Sequence, residues 1–523
     1  MKQDLNNRLK SVLYDDGVVV DKNKILELLV DLKNKISGYP FCILVPKTVE
    51  QLSYIVQIIS SYKIPLLVRG AGISSSGGLS IDSLDYVMID LRSLNQIEEI
   101  NQEDMYITVQ AGCSWEKLFN ELDTLGFKTT CSGYGDGIVG TVGGSVSDNE
   151  ILSGYSYYGT LSNNILGMDV ILADGSILET GSSAADGRIP FSREFGPDLT
   201  GLFIGDSGSL GIKARVTLKI VHKKNIKKYF SFAFERIEDL VLAQTEISKN
   251  NIKLEHWGVD IFNNSQFFRQ TIKRPEQLRN NSLFLASSSP KGLIDGVRAS
   301  SKSYYYLNIM IECSTKEETQ RIYSELLRLC QPYMANEIEN SLKNNFDKIP
   351  FAPLGIEDKY LSSNYTNSLF PVSRALEISA ITDEYFIRHS KIIEKNDLLF
   401  SYLTSSFNSS FFIEARIWWP SSNNSKGTDE DIVQVVNMLL RDLAGLWDTF
   451  GASRCEIGRI YNFENQLSSA ARSTLKVIKL SLDPNFILNP GVLGLNSGYD
   501  NNTKNTMYPE FPQDLLRNSD DVL

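Results

Sequence analysis

Between residue 41 and about residue 225, short β-branched runs alternate with turn-forming Gly, Ser and Asp. The pattern predicts strands at Phe41–Val45, Pro65–Arg69, Tyr86–Asp90, Tyr106–Gln110, Ile165–Leu172 and Gly211–Val221. Apolar positions three and four apart predict amphipathic helices at Val49–Tyr62 and Ser114–Leu125. Beyond His222 the texture changes. Longer helical patterns at Ile237–Lys249 and Lys316–Cys330 alternate with strands at Lys228–Phe234, Leu254–Phe262, Tyr304–Cys313 and Phe411–Trp419. A helix at Asp429–Phe450 and an amphipathic segment at Gln466–Leu482 follow, and past Gly494 the residues are mostly Asn, Asp, Ser and Pro. Helices and strands are therefore mixed, with a first unit over 1–225, a second over 226–452, a closing segment over 453–495 and a loosely held tail over 496–523.

Composition narrows the function classes. A chain of 523 residues has room for two or three domains, each with its own core. No window approaches the ~18 consecutive apolar residues of a membrane span, so a soluble chain is expected. Lys and Arg number 52 against 63 Asp and Glu, a net charge of −11 without a long basic stripe, which argues against a nucleic-acid partner. The start, Met1-Lys2-Gln3-Asp4, shows no secretory apolar stretch, and six scattered cysteines fit free thiols in a reducing cytoplasm. Only three histidines occur, His222, His256 and His389.

Glycines cluster in three loops. The first is Arg69-Gly70-Ala71-Gly72-Ile73-Ser74-Ser75-Ser76-Gly77-Gly78, directly after a predicted strand; the others are Gly133–Gly144 and Gly205–Ile212. Glycine lets backbone amides approach an anion closely, and successive N–H groups in one concavity bind phosphate without a cation. The first loop lacks the third glycine of a dinucleotide fingerprint, and alone it is equally a structural turn. Three such loops in one unit ask for a common explanation.

In its order of motifs the chain resembles the flavin domain of the vanillyl-alcohol oxidase and p-cresol methylhydroxylase superfamily. The motifs are Pro46-x-Thr48-x-Glu50-Gln51, Arg69-Gly70-x-Gly72, Thr141-x-Gly143-Gly144, Asp174-Gly175 and Gly208-Ser209-Leu210-Gly211-Ile212, closed by Asp483-Pro484-Asn485 and Asn489-Pro490-Gly491. The nearest likeness is to FAD-linked 2-hydroxyacid dehydrogenases and alkyl-dihydroxyacetonephosphate synthase, which share Gly196-Pro197-Asp198. The resemblance implies an α+β fold: a two-part PCMH-type FAD-binding domain over 1–225, a cap domain with an antiparallel sheet covered by helices over 226–452, and a return to the FAD domain over 453–495. It implies FAD contacts from Arg69, Gly70, Ala71, Gly72, Ile73, Ser74 and Ser75. Further contacts are implied from Gly140, Thr141, Gly143, Gly144, Ser147, Asp148 and Asn149, and from Gly211, Ile212 and Asn489. The implied activity is that of an FAD-dependent oxidoreductase, an oxidase or dehydrogenase taking a hydride from an alcohol or hydroxyacid-like carbon; the alternative is a redox-neutral transferase or lyase.

The chain also departs from its relatives. Many hydroxyacid dehydrogenases of this type hold a divalent metal with histidines on a cap strand and a Glu-His-Gly element. The matching places here, Glu414–Trp419 and Arg454–Arg459, contain no histidine, so no metal is expected and Glu414, Cys455 and Glu456 offer at most an untypical set. Ile73 and Val139 stand where some relatives attach FAD covalently, so noncovalent flavin is expected, with a cap linkage through His256 or His389 left open.

Catalysis at a flavin needs groups that place a C–H bond and remove a hydroxyl proton. The period-2 rule puts Phe412, Glu414, Arg416 and Trp418 on one face of the Phe411–Trp419 strand, opposite a wholly apolar face, which suits a substrate wall. Arg416 or Arg459 is a candidate anion clamp, and Tyr158, Tyr461 or Tyr157 a candidate acid–base group among 23 tyrosines. Strands Leu307–Cys313 and Leu254–Phe262 present Asn308, Met310 and Glu312, and His256, Gly258 and Asp260, as weaker candidates. The expected partners are a small-molecule substrate and an electron acceptor that is oxygen, a quinone or a protein, with a homo-oligomer left open.

Overall fold

The structure is a computed structural model. It describes residues 2–29, 39–74, 76–79, 81, 85–133, 140–250, 252–260, 305–333, 335–338, 361–420, 429–461 and 463–495. Ser75, Val139 and the tail expected at 496–523 lie outside the described residues.

Three sheets organise the chain. The first orders its strands Val18–Val19, Cys42–Leu44, Val87–Asp90, Leu66–Arg69, the last three running parallel. Its crossover helix, Val49–Tyr62, buries Val49, Leu52, Ile55, Val56 and Ile59, the three-and-four spacing that selects one face. Thr48 caps that helix by accepting from the Gln51 amide at 3.2 Å, and Lys63 ends it in the left-handed region at φ 53°. The helix Lys2–Leu13, not predicted from the pattern, adds Leu5, Leu9 and Leu13 to the same core. The second sheet is antiparallel and centred on Ile212–His222, which pairs with Tyr106–Gln110, Ile165–Ile171 and Phe127–Thr129.

The third sheet has seven antiparallel strands in the order Asn336–Ile338, Ile226–Phe234, Tyr305–Cys313, Glu255–Asp260, Leu399–Phe407, Ser410–Pro420, Leu361–Pro371. One face is covered by helices, including Ile237–Lys249, Lys316–Cys330, Ala375–Arg388 and Asp429–Thr449. Phe411, Ile413, Ala415, Ile417 and Trp419 enter that core, as alternation along the strand requires. Phe412 faces the other way and packs with Ile151, Tyr155, Trp257 and Cys455. Among the described residues no helix is long and apolar enough to cross a membrane.

The closing segment returns to the first sheet. Leu488 forms a parallel bridge with Leu66, whose amide donates to the Ile487 carbonyl (2.8 Å) and whose carbonyl accepts from the Asn489 amide (2.9 Å). Beneath it Lys479 and Asp483 form a fully buried ion pair at 2.5 Å. Lys479 also donates to the carbonyls of Ser209 and Leu488, while Asp483 accepts from the amides of Ile487 and Leu488. The Asp-Pro-Asn motif is thus the root that fixes Asn489.

Candidate functional site

The Gly-rich loops meet around a cleft enclosing about 1040 Å³ of empty space, the open mouth included. Gly70, Ala71, Gly72, Ile73 and Ser74 line it together with Gly140, Thr141, Gly143 and Gly144. Ser147, Asp148, Gly211, Ile212 and Asn489 complete the expected set on its walls. Two expected residues point elsewhere. Arg69 is buried and donates to the Leu28 carbonyl, and Asn149 ends a helix at φ 53° against Gly205.

The two main loops work differently. The amides of Gly70, Ala71, Gly72 and Ile73 donate to no backbone carbonyl among the described residues, which leaves them for an anionic ligand. The second loop instead opens the helix Val142–Asp148, and the amides of Val142 and Gly143 donate to the carbonyls of Cys113 (2.9 Å) and Ala111 (2.8 Å). Its glycines serve close approach: a Cβ on Gly143 would stand 2.6 Å from that of Ala111, and one on Gly70 would collide with the Thr141 hydroxyl. The cleft walls thus combine the amide run of the first loop with close glycine packing in the second.

Asn489 locks the cleft's rim. Its Nδ2 donates to the carbonyls of Gly78 (2.9 Å) and Ser207 (2.7 Å), and its Oδ1 accepts from Arg459 Nη2 (3.1 Å). Arg459 also donates to the Pro490 carbonyl, so this candidate clamp braces the closing segment. Lys213, missed by sequence reasoning, lines the cleft in a buried ion pair with Asp206.

The face of the third sheet turned away from its helices carries the polar wall. Glu414 is buried and accepts from both Nε (2.9 Å) and Nη2 (2.8 Å) of Arg416. The Arg416 guanidinium lies over the rings of Tyr365 (4.7 Å) and Trp418 (5.5 Å). Tyr365 donates its hydroxyl proton to Glu456 Oε2 (2.8 Å), and Asn367 Nδ2 donates to Oε1 (3.0 Å). The Glu456 amide donates to the Asp148 carbonyl at 2.9 Å, which joins this wall to the cleft.

Other candidates are not brought to this wall. Tyr461 bonds Thr366 (2.8 Å) and lies under Arg454, on the helix-covered side of the strand, because neighbours in a strand face oppositely. Tyr158 lines a separate small cavity with Lys128, Tyr157, Glu255 and Glu312. His256 is buried on the helix side beside Gln244, so Glu255 and Trp257 take the open face instead of His256, Gly258 and Asp260. Burial pushes the His256 imidazole down to about 3, and it stays neutral. Among the described residues no group of three or more His, Cys, Asp or Glu is arranged to hold a metal ion.

Glu456 is the residue that sequence reasoning undervalued. It is buried with φ 53°, a left-handed conformation that a non-glycine residue adopts at a cost and that often marks a functional site. Burial pushes its carboxyl up to about 8, helped by the Glu150 and Asp148 carboxylates and opposed by the bonds from Tyr365 and Asn367. A carboxyl with a raised folded value stabilises the fold below its ordinary value near 4.5, and that stability is lost as pH rises through about 8. Half of that displacement is worth on the order of 2 kcal/mol. Thermal melts from pH 5 to 9 should therefore show the wild type falling relative to Glu456→Gln; parallel curves would refute this protonation.

Comparison with known proteins fits this geometry. Residues 40–181 match a family model described as an FAD binding domain. This segment is an FAD binding domain. The chain is 30% identical over 217 residues to a probable mitochondrial D-2-hydroxyglutarate dehydrogenase of Oryza sativa subsp. indica, a match covering 40% of this chain and 36% of that protein. It thus spans little more than a third of that relative's length. A solved 4-ethylphenol oxidase from Gulosibacter chungangensis shares the fold, with TM-score 0.74, 17% identity, and 95% and 97% of the two chains covered. A solved alkyldihydroxyacetonephosphate synthase gives TM-score 0.66 at 15% identity over 93% of this chain and 84% of that one. The open amide run, the glycine-lined walls and the volume of the cleft suit the diphosphate and ribityl parts of FAD.

Proposed function

We propose that this chain is an FAD-dependent oxidoreductase taking a hydride from an alcohol or hydroxyacid-like carbon, with its flavin bound noncovalently. The observation that carries the reading is the junction of the FAD-binding cleft with a proton-handling wall, through Glu456 and Asp148. FAD in the cleft supplies a ring that accepts a hydride. Loop 70–74 would hold the diphosphate through its amides, and Ile212 lies on the wall of the same cleft. With Glu456 ionised, which its value of about 8 places at mildly alkaline pH, the Tyr365 hydroxyl takes the substrate's hydroxyl proton as its own proton moves to Glu456 Oε2. Glu414 fixes the orientation of Arg416 over the Tyr365 ring. Six buried free thiols fit a reducing compartment, the cytoplasm in the simplest case.

Purified protein should be yellow, release its flavin on acid precipitation, and bleach in the visible when mixed anaerobically with alcohols. Colourless protein that fails to bind added FAD would end this reading. Loaded protein that no alcohol or hydroxy acid bleaches would also end it.

A further inference from the structure

Among the described residues, the wall beside the cleft is short of available positive charge. Arg416 gives two of its nitrogens to Glu414 and stacks between Tyr365 and Trp418. Farther along the same face, Lys128 and Lys227 both pair with Glu312. Arg454 lies behind the sheet, paired with Asp448, and Arg459 is bonded to the closing segment. Glu255, Glu414 and Glu456 are buried at or beside the wall, and Asp148 and Glu150 line the adjoining cleft.

We infer that the site admits an uncharged alcohol with an apolar body and turns away a hydroxy acid, because Arg416 is already matched by Glu414. The inference rests on the oxidoreductase reading and names the substrate class. A substrate carboxylate has two ways in, and both are costly. It can draw Arg416 away, leaving the buried Glu414 as an uncompensated charge, or it can share Arg416 and lie against Glu414 in a poorly solvated site. An uncharged hydroxyl incurs neither cost and meets the Tyr365 hydroxyl directly. The half-buried Tyr365 ring offers an apolar body a contact beside that hydroxyl. Discrimination here comes from a repulsive element as much as from an attractive one. Burial pushes Glu456 up to about 8 and Glu255 up to about 7, so neither presents a full negative charge that would call for a cationic substrate.

Two matched pairs test this on the FAD-loaded full chain near pH 7. Phenylacetamide and phenylacetate carry no oxidisable hydroxyl, and calorimetry reads their binding without turnover; mandelamide and mandelate differ only in charge, and anaerobic stopped-flow reads flavin bleaching. Phenylacetamide should bind at least tenfold more tightly than phenylacetate, and mandelamide should bleach the flavin at least tenfold faster than mandelate. Glu414→Gln releases Arg416 and should narrow both gaps; should that variant fail to fold, the wild-type ratios decide by themselves. Equal or tighter binding of phenylacetate overturns the inference, as does tightest binding of the 2-phenylethylammonium ion or no binding of phenylacetamide. If neither mandelate nor mandelamide bleaches the flavin, the oxidoreductase reading is what suffers, and the calorimetric ratio still decides the charge preference.

Discussion

Gly143→Val is expected to cost roughly tenfold to a hundredfold in FAD affinity. A Cβ at position 143 would stand 2.6 Å from the Ala111 Cβ and 2.9 Å from the Ala111 carbonyl oxygen, and neither neighbour belongs to a flexible side chain. The Gly143 amide also donates to that carbonyl at 2.8 Å, so the strand end and the helix start are already in hydrogen-bond contact. Relief requires moving the helix Val142–Asp148, which carries Ser147 and Asp148 on the cleft wall. Overpacking of this kind costs about 1–3 kcal/mol, which gives the range stated. Gly144→Ala is the control, because a Cβ there meets only the Thr141 hydroxyl at 3.0 Å. Fluorescence titration with FAD reads both variants, and wild-type affinity in Gly143→Val would sink the packing explanation.

Asp483→Ala should destabilise the protein by about 3–5 kcal/mol, because removing one partner leaves the other as an unpaired buried charge. Lys479 and Asp483 are both 0% exposed, so water cannot compensate the loss. The substitution also takes the acceptor from the Ile487 and Leu488 amides, which set the strand-like return beside Leu66. Asn489 then loses its footing, and FAD affinity should fall together with stability. The double substitution Lys479→Met, Asp483→Leu should recover the part of the loss that comes from the unpaired charge, while the Ile487 and Leu488 amides stay without their acceptor. Denaturant titration reads both. A mild effect of Asp483→Ala, or a double variant as unstable as the single, would show that the pair does not hold the segment.

The wall illustrates where pattern reading stops. Glu414 and Arg416 were legible because Phe411–Trp419 alternates cleanly, and the structure turns both to the open face. Tyr365 and Asn367 were not. Their strand, Leu361–Pro371, reads Leu-Ser-Ser-Asn-Tyr-Thr-Asn-Ser-Leu-Phe-Pro, which has the composition of a loop. Thr366, Asn367 and Ser368 are nevertheless buried, because partners distant in sequence satisfy them: Tyr461, Glu456 and Arg454. Leu399–Phe407 is similar, with Ser401, Ser405 and Ser406 at 0% exposure. Position 456 gave one signal, a carboxylate in the stretch Arg454–Arg459 that matches the relatives' Glu-His-Gly element, and without its histidine the residue was set aside with the metal.

The sequence by itself determined the parts that are local or serial. Glycine spacing, helix periodicity and motif order marked an FAD-binding unit, because backbone freedom and amphipathic faces are encoded within a few residues of where they act. The closing motif was legible in the same way, although its reason, a buried Lys479–Asp483 pair supporting Asn489, was not. Only the tertiary structure decided that Tyr365, of 23 tyrosines, bonds Glu456, which side of each cap strand is open, and that Arg416 is already neutralised. Those outcomes depend on the register of Leu361–Pro371 against Ser410–Pro420 and on the turn at Glu456, where contacts across scores of residues override local preference. A one-residue slip of that register would carry Tyr365 away from Glu456 and leave both buried polar groups without their bond.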